Sequence, residues 1–177
     1  GVELQFGGEQ AQSGEANLAI LQALPAGLTL LLLSLLIEFR SYKKVGIILF
    51  TVPLAMAGVA PGLVISGQPF GFLALLGSIA LVGIVVNNAI LLIDALDHRL
   101  KEGADLETAL QYAIGRRLRP ILLTTLTTIL GLTPLAFTSA TLWPPFAWAI
   151  ISGLGCSTLL TILMIPSLYK WIFQKQL

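Results

Sequence analysis

The chain has 177 residues, of which 56% are hydrophobic and 11% are charged, and its mean hydropathy is +0.90. A soluble domain carries about 25% charged residues, so this composition excludes a soluble protein and indicates an integral membrane protein. The formal net charge is only +1. In a membrane protein the positions of the charges along the chain, and not their sum, report the topology.

Residues 1–15 are interpreted as the end of an upstream, external domain followed by a linker. Val2, Leu4 and Phe6 alternate with polar residues, a period-two pattern typical of a β-strand. A single strand is not a domain, so we expect it to be the last strand of a domain that lies upstream. The sequence begins with Gly1 rather than Met, and we therefore expect it to be a piece of a longer protein.

Long uncharged runs predict five membrane-spanning helices, each close to the roughly 20 residues that cross a bilayer. Residues 45–93 form a run of 49 residues without a charge, which is too long for one crossing, and residues 66–69 supply the turn between two. The uncharged run over residues 120–169 is divided in the same way at residues 142–145. The predicted spans are residues 16–37, 45–65, 70–93, 120–137 and 146–169.

A polar segment, residues 94–119, separates the third predicted span from the fourth. Asp105 is a residue type that caps helices, and apolar residues recur at helical spacing from Leu106 to Ile114. This pattern predicts an amphipathic helix on the membrane surface. The predicted fold is therefore all-α, a polytopic bundle of five transmembrane helices plus one cytoplasmic amphipathic helix.

All ten Lys and Arg residues fall on one side of the membrane in this arrangement. Positive residues concentrate in cytoplasmic loops. The loops at residues 38–44 and 94–119 and the C-terminus are therefore predicted to be cytoplasmic, and the N-terminal tail external. Topology and contact with anionic membrane lipid explain the basic clusters, so no nucleic-acid partner is predicted.

Two adjacent amides, Asn87 and Asn88, interrupt the apolar sequence of the third predicted span. On a helix Gly83, Asn87 and Asp94 share one face. An unpaired polar group inside a bilayer costs several kcal/mol, so these side chains are expected to face protein or water. Two interpretations stay open, interhelical hydrogen bonding and a role in an ion pathway.

The fourth predicted span carries a matching polar stripe. Thr124, Thr127, Thr128 and Gly131 share one helix face, and Arg117 precedes Thr124 by seven residues on that face. This stripe is expected to meet the amides of the third span. The alternative is that each Thr hydroxyl bonds a carbonyl of its own helix.

The five predicted spans contain no Asp, Glu, Lys, Arg or His at mid-depth. A proton relay needs a titratable group inside the membrane, so this chain can shape a proton site but cannot hold the proton. The sequence also shows no metal-ligand spacing, phosphate loop or nucleophile constellation. It therefore predicts no catalytic residue, no metal site and no cofactor.

Two blocks of the sequence resemble the resistance-nodulation-division (RND) efflux transporters of the AcrB type. They are GIVVNNAILLID at residues 83–94 and RRLRPILLTTLTTILGLTP at residues 116–134, and the order of spans extends the resemblance over residues 16–172. The resemblance implies the last five spans of a transporter of the bacterial inner membrane, with two repeated halves, that antiports protons against an exported substrate. It also implies a homotrimer that pairs with a periplasmic adaptor and an outer-membrane channel.

The same resemblance implies a set of site residues. The family's proton site joins two Asp residues on a span of the first half to a Lys and a Thr on the second half. By motif match the Lys position is Asn87, the next position is Asn88, the Thr is Thr124 and the cytoplasmic-edge Arg is Arg117, with Asp94 at the same edge. Asn87 removes the family's Lys cation, so either Arg117 reaches further in or the proton stoichiometry differs.

Two other functions compete with efflux. A membrane scaffold or protein-translocation helper of related fold would use the same spans without carrying a solute. Two large periplasmic domains elsewhere in the protein would favour export instead. An intramembrane enzyme would need paired acids, or a His, Ser and Cys grouping at mid-depth. The sequence has neither, and we predict that the protein is not an enzyme.

Overall fold

The computed structural model describes residues 8–139 and 142–173, and five long α-helices account for most of them. Each helix is long and apolar enough to cross a membrane, and the described residues include no β-strand. The prediction of an all-α fold with five spans is therefore confirmed. The helices are α1 (Gly8–Phe39), α2 (Tyr42–Ser66), α3 (Phe72–Lys101), α4 (Leu106–Ala136) and α5 (Trp143–Phe173).

The helices extend beyond the predicted spans. α1 begins at Gly8, so residues 8–14, predicted as linker, are helical, whereas the strand predicted at Val2 to Phe6 lies outside the described residues. α3 continues past Ile93 to Lys101. The physical reason is that a charged residue ends the run that suits hydrocarbon but does not end the helix, because its backbone bonds are still satisfied within the helix.

The predicted amphipathic surface helix is not a separate element, and that prediction is corrected. α4 runs unbroken through both the amphipathic segment and the fourth span, with Asp105 as its N-cap. The Asp105 carboxylate accepts a hydrogen bond from the Thr108 N–H at 3.4 Å. Pro120, the predicted start of the fourth span, lies inside the helix. A proline removes one backbone hydrogen bond and crowds one turn, and the residues on both sides sustain the helix across it.

The turn between α2 and α3 lies where the sequence predicts it. Gly67 has φ 68°, a left-handed conformation that glycine adopts at the end of a helix. The N–H of the next residue, Gln68, donates to the Leu63 carbonyl at 2.9 Å. At the other predicted break, Pro144 lies in the first turn of α5, where the N–H that proline lacks would have no partner within the helix.

The chain divides into two compact units, residues 1–45 and residues 46–177. In the first unit most of the apolar side chains of α1 are exposed, among them Leu18, Leu30 and Ile37. Pro25 lies inside α1, and the Thr29 hydroxyl donates to the Pro25 carbonyl at 2.7 Å. Such an apolar exterior is what a helix in contact with lipid or with other spans requires.

In the second unit successive helices run in opposite directions. α2 and α4 are antiparallel to α5, whereas α3 is parallel to it. This alternation is the arrangement that successive membrane crossings require. The residue pairs that set these directions are Gly58–Cys156 and Gly62–Ser152 for α2, Gly77–Ala149 and Leu81–Gly153 for α3, and Thr125–Thr158 and Glu107–Lys170 for α4.

A buried apolar cluster joins α2, α3 and α5. It consists of Ala55, Val59, Leu63, Ala74, Leu81, Val85, Ala149 and Leu154. Because this cluster occupies one side of α3, the side that carries Asn87 is turned away from it and towards α4.

Candidate functional site

A groove between α3 and α4 brings together four of the five predicted site residues. It is open and has a volume of about 410 Å³. It is lined by Ala80, Gly83, Ile84, Asn87, Asn88 and Leu91 from α3 and by Arg117, Pro120, Ile121 and Thr124 from α4. Of the stripe predicted on α4, Arg117 and Thr124 lie at this groove, whereas Thr127, Thr128 and Gly131 do not line it.

The fifth predicted residue, Asp94, contacts the groove through Arg117. Its Oδ2 atom lies 3.8 Å from Nη2 of Arg117, and the two side chains are 61% and 31% exposed, respectively. The Nε atom of Arg117 is buried and has no hydrogen-bond partner among the described residues. This contact is an ion pair without a direct hydrogen bond, since the distance exceeds hydrogen-bond range.

The polar residues of the groove lie at two levels along the helix axes. Asn87 precedes Asp94 by seven residues on α3, and Arg117 precedes Thr124 by seven on α4. At 1.5 Å per residue each interval spans about 10 Å. Because the two helices are antiparallel, Asn87 and Thr124 form one level, here named the amide level. Asp94 and Arg117 form the other, the ion-pair level.

The two amides differ in their surroundings. Asn88 is 8% exposed, whereas Asn87 is exposed along the open side of the groove. Within the described residues neither side chain is hydrogen-bonded to another group. Interhelical hydrogen bonding among the helices that the structure describes therefore does not account for them, and a partner for Asn87 has to come from water or from another segment.

The threonine stripe follows the simpler of its two interpretations. The Thr124 hydroxyl lies 3.1 Å from the Pro120 carbonyl and 3.0 Å from that of Ile121. Thr127 and Thr128 bond carbonyls of their own helix in the same way, at 2.9 Å and 2.8 Å. Of the three, Thr124 lines the groove. A hydroxyl that donates to its own helix keeps lone pairs with which it can accept.

A buried hydroxyl pair between α4 and α5 is a feature that the sequence did not predict. The Oγ1 atoms of Thr125 and Thr158 lie 2.9 Å apart, and the two residues are 8% and 4% exposed. One turn further on α5, the Thr161 hydroxyl is buried without a partner among the described residues. Threonines at this spacing in an apolar span indicate interhelical bonding, but no pattern in the sequence identifies Thr125 as the partner.

Polar contacts also join the ends of α3, α4 and α5, at the end of the unit where their described basic residues lie. The Tyr169 hydroxyl donates to Asp97 at 3.1 Å, Lys170 donates to Glu107 at 2.8 Å, and the Arg99 guanidinium lies 4.0 Å from the centre of the Tyr112 ring. Each of these contacts joins two different helices. They hold this end of the unit together around the ion-pair level.

The groove is lined mainly by apolar residues, with a few polar side chains among them. Arg117 is the only charged side chain among the described residues that line it, and a guanidinium does not lose its proton in a protein. Two amides and a hydroxyl add neutral donors and acceptors. The described residues also contain no group of three His, Cys, Asp or Glu side chains that could hold a metal ion. The groove can therefore orient a carboxylate or water, but a titrating group has to come from elsewhere.

A sequence profile described as the AcrB/AcrD/AcrF family matches residues 1–173 of the chain. The swarming motility protein SwrC of Bacillus subtilis is 36% identical over 173 residues, which cover 96% of this chain and 16% of SwrC. The cobalt-zinc-cadmium resistance protein CzcA of Cupriavidus metallidurans is 34% identical over 181 residues, covering 99% of this chain and 17% of CzcA. The multidrug resistance protein MdtC of Erwinia tasmaniensis is 36% identical over 168 residues, covering 93% and 16%.

The fold also matches a solved structure. A crystal structure of a heavy metal efflux pump superposes with a TM-score of 0.81 at 31% identity, over 96% of this chain and 16% of the pump. The chain thus spans 16% or 17% of the length of these proteins.

Proposed function

Because the chain belongs to the AcrB/AcrD/AcrF family of RND efflux transporters, we propose that it forms the carboxy-terminal transmembrane half of a proton-driven exporter. In this proposal the transporter antiports protons against an exported substrate. The basic ends of α3, α4 and α5 face the cytoplasm of a bacterial cell, as the distribution of positive charge favours. A homotrimer with a periplasmic adaptor and an outer-membrane channel completes the assembly.

The groove between α3 and α4 is the observation that supports proton coupling. Arg117, Asn87, Asn88 and Thr124 line one open cavity of about 410 Å³, with Asp94 paired to Arg117. A cation and neutral donors on one surface stabilise a carboxylate through charge-assisted hydrogen bonds. A span from the other half of the transporter would supply that carboxylate, which takes up and releases the proton while the groove holds it in place.

Proton-driven transport by the full-length transporter in liposomes tests this proposal through two matched pairs of variants. Arg117→Ala should lower transport about tenfold or more, because hydrogen bonds to charged groups contribute about 1.5–3 kcal/mol. Arg119→Ala is its control, since Arg119 is exposed and does not line the groove. Thr124→Ala should lower transport about two- to tenfold, the range for a neutral hydrogen bond. Thr127→Ala is its control, because Thr127 has the same hydrogen bonds within α4 but lies outside the groove.

The proposal is contradicted if Arg117→Ala transports as well as Arg119→Ala and Thr124→Ala transports as well as Thr127→Ala. Export that continues unchanged after the proton gradient is collapsed would contradict antiport itself. The amount of purified protein and its oligomeric state show whether a variant still inserts and assembles.

A further inference from the structure

The ion pair between Asp94 and Arg117, beside the groove, is a weak one. The Asp94 and Arg117 atoms are 3.8 Å apart, and Asp94 is largely exposed. Ion pairs in contact with solvent are weak because water and salt screen them. The guanidinium also leaves its buried Nε atom without a partner among the described residues. Arg117 is therefore held by one weak contact beside an open cavity.

Arg117 lies next to the amide level, the part of the groove that carries no charge. The amide level, Asn87 and Thr124, carries no charge, and Arg117 is the only charged side chain among the described residues that line the groove. The cavity continues from Arg117 past Thr124 to Gly83, so the long side chain has open space in the direction of the amide level.

The other charged groups near this end have different contacts. On α3, Arg99 pairs with Glu102, and on α5, Lys170 pairs with Glu107. On α4 itself, Arg116 lies 5.9 Å from the centre of the Tyr112 ring, and Arg119 is exposed. Asp94 is the acid that pairs with Arg117 in the described part of the chain.

We propose that Asp94 is a positioning residue that holds Arg117 at the ion-pair level. When this ion pair breaks, the Arg117 guanidinium turns towards the amide level and pairs there with a carboxylate in the groove. Asp94 and that carboxylate thus compete for one guanidinium, and the competition moves the cation from the ion-pair level towards the amide level. This inference rests on the proposed function. It adds that the Arg117 guanidinium moves, and that Asp94 draws it back to the ion-pair level.

The test compares Asp94→Asn, Asp94→Glu and Asp97→Asn in the full transporter, with transport measured as a function of pH. Without the Asp94 charge, Arg117 pairs only with the carboxylate in the groove. The nearby positive charge favours the deprotonated form of that carboxyl and lowers its pKa. The pH profile of Asp94→Asn should therefore move to lower pH by up to about 0.7 units, equivalent to a fivefold change, as expected for an exposed ion pair. Asp94→Glu should restore the wild-type profile.

Asp97→Asn is the matched control. It removes the same charge from the same helix, and the asparagine keeps an oxygen that can accept the Tyr169 hydroxyl. Its profile should stay at the wild-type position. If Asp94→Asn and Asp97→Asn give the same profile while Arg117→Ala abolishes transport, the positioning role is overturned and the proposed function stands. If Arg117→Ala transports normally, the proposed function fails as well.

A second variant places a cation directly at the amide level. Asn87→Lys introduced into the Arg117→Ala protein should recover at least about half of the lost transport, because a lysine at position 87 no longer needs the arginine to move. Asn87→Gln in the same background adds length without charge and should recover none. Equal recovery by lysine and glutamine, or no recovery by lysine, would overturn the assignment of Arg117 as the cation of the amide level.

Discussion

Replacement of Gly58 by alanine tests the close packing of α2 against α5. The added Cβ would meet the Cβ atom of Cys156, and it would lie 2.9 Å from the Ser152 carbonyl oxygen and 3.1 Å from the Cα atom of Gly153. Two of these three atoms belong to the backbone of α5 and cannot rotate away. One helix must therefore shift.

The expected loss of stability follows from two opposing contributions. Overpacking a close contact costs about 1–3 kcal/mol, and the backbone obstruction at Gly58 favours the upper half of that range. Alanine in place of glycine within a helix stabilises it by about 0.5–1 kcal/mol. We therefore expect Gly58→Ala to lower the free energy of unfolding by about 1–2.5 kcal/mol.

Gly131 provides the control, because it lies in α4 and a Cβ added there would have no packing neighbour within 4 Å. Gly131→Ala should raise the free energy of unfolding by about 0.5–1 kcal/mol, the helix preference alone. Reversible unfolding in mixed micelles, followed by circular dichroism, measures both variants. If Gly58→Ala is as stable as the wild type, or if both variants lose equal stability, close approach of α2 and α5 is not what Gly58 provides.

Three further predictions concern polar groups. Thr125→Val and Thr158→Val, each nearly isosteric, should show a coupling energy of about 0.6 kcal/mol and at most about 1.7 kcal/mol in a double-mutant cycle of unfolding, and a value of zero would refute their hydrogen bond. Asn87→Leu should lower transport by the full-length protein more than Asn87→Gln does, because leucine cannot hydrogen-bond to the water or the additional segment that Asn87 faces in the groove, and equal transport by the two would contradict this. Hydrogen bonds from Thr108 hold the pKa of the exposed Asp105 carboxyl below its ordinary value of 3.8. The cap therefore stabilises the start of α4 above that pH and is lost as the pH falls through the lowered value. Hydrogen exchange of the Thr108 amide should show this loss in the wild type but not in Asp105→Asn.

The number of spans could be predicted from the sequence because burying charge in a bilayer is costly, so the spans are uncharged runs. The helix ends could not be predicted, because the end of an uncharged run marks the edge of the membrane and not the end of backbone hydrogen bonding. α3 shows the difference, since it continues eight residues past Ile93 to Lys101. Pro120 shows it again, because the proline begins an uncharged run and yet lies in the interior of α4.

The grouping of the candidate site could be predicted because each polar stripe keeps one helix face. Asn87 and Asp94 are separated by the same seven residues as Arg117 and Thr124, so two antiparallel helices bring both pairs to matching levels. The hydrogen bond between Thr125 and Thr158 has no such spacing rule. It depends on how α4 is rotated against α5, and that rotation is set by packing across the whole contact.

The packing around α3 limits which part of the site can move. On one side α3 lies so close to α5 that a Cβ at Gly77 would be 2.7 Å from the Phe146 carbonyl oxygen, and Leu81 is fully buried. On the other side lies the open groove. Because close-packed interfaces do not deform gradually, α3 cannot move towards α5 to admit a carboxylate. The space for one has to come from the groove side, where Arg117 is held by a single weak ion pair.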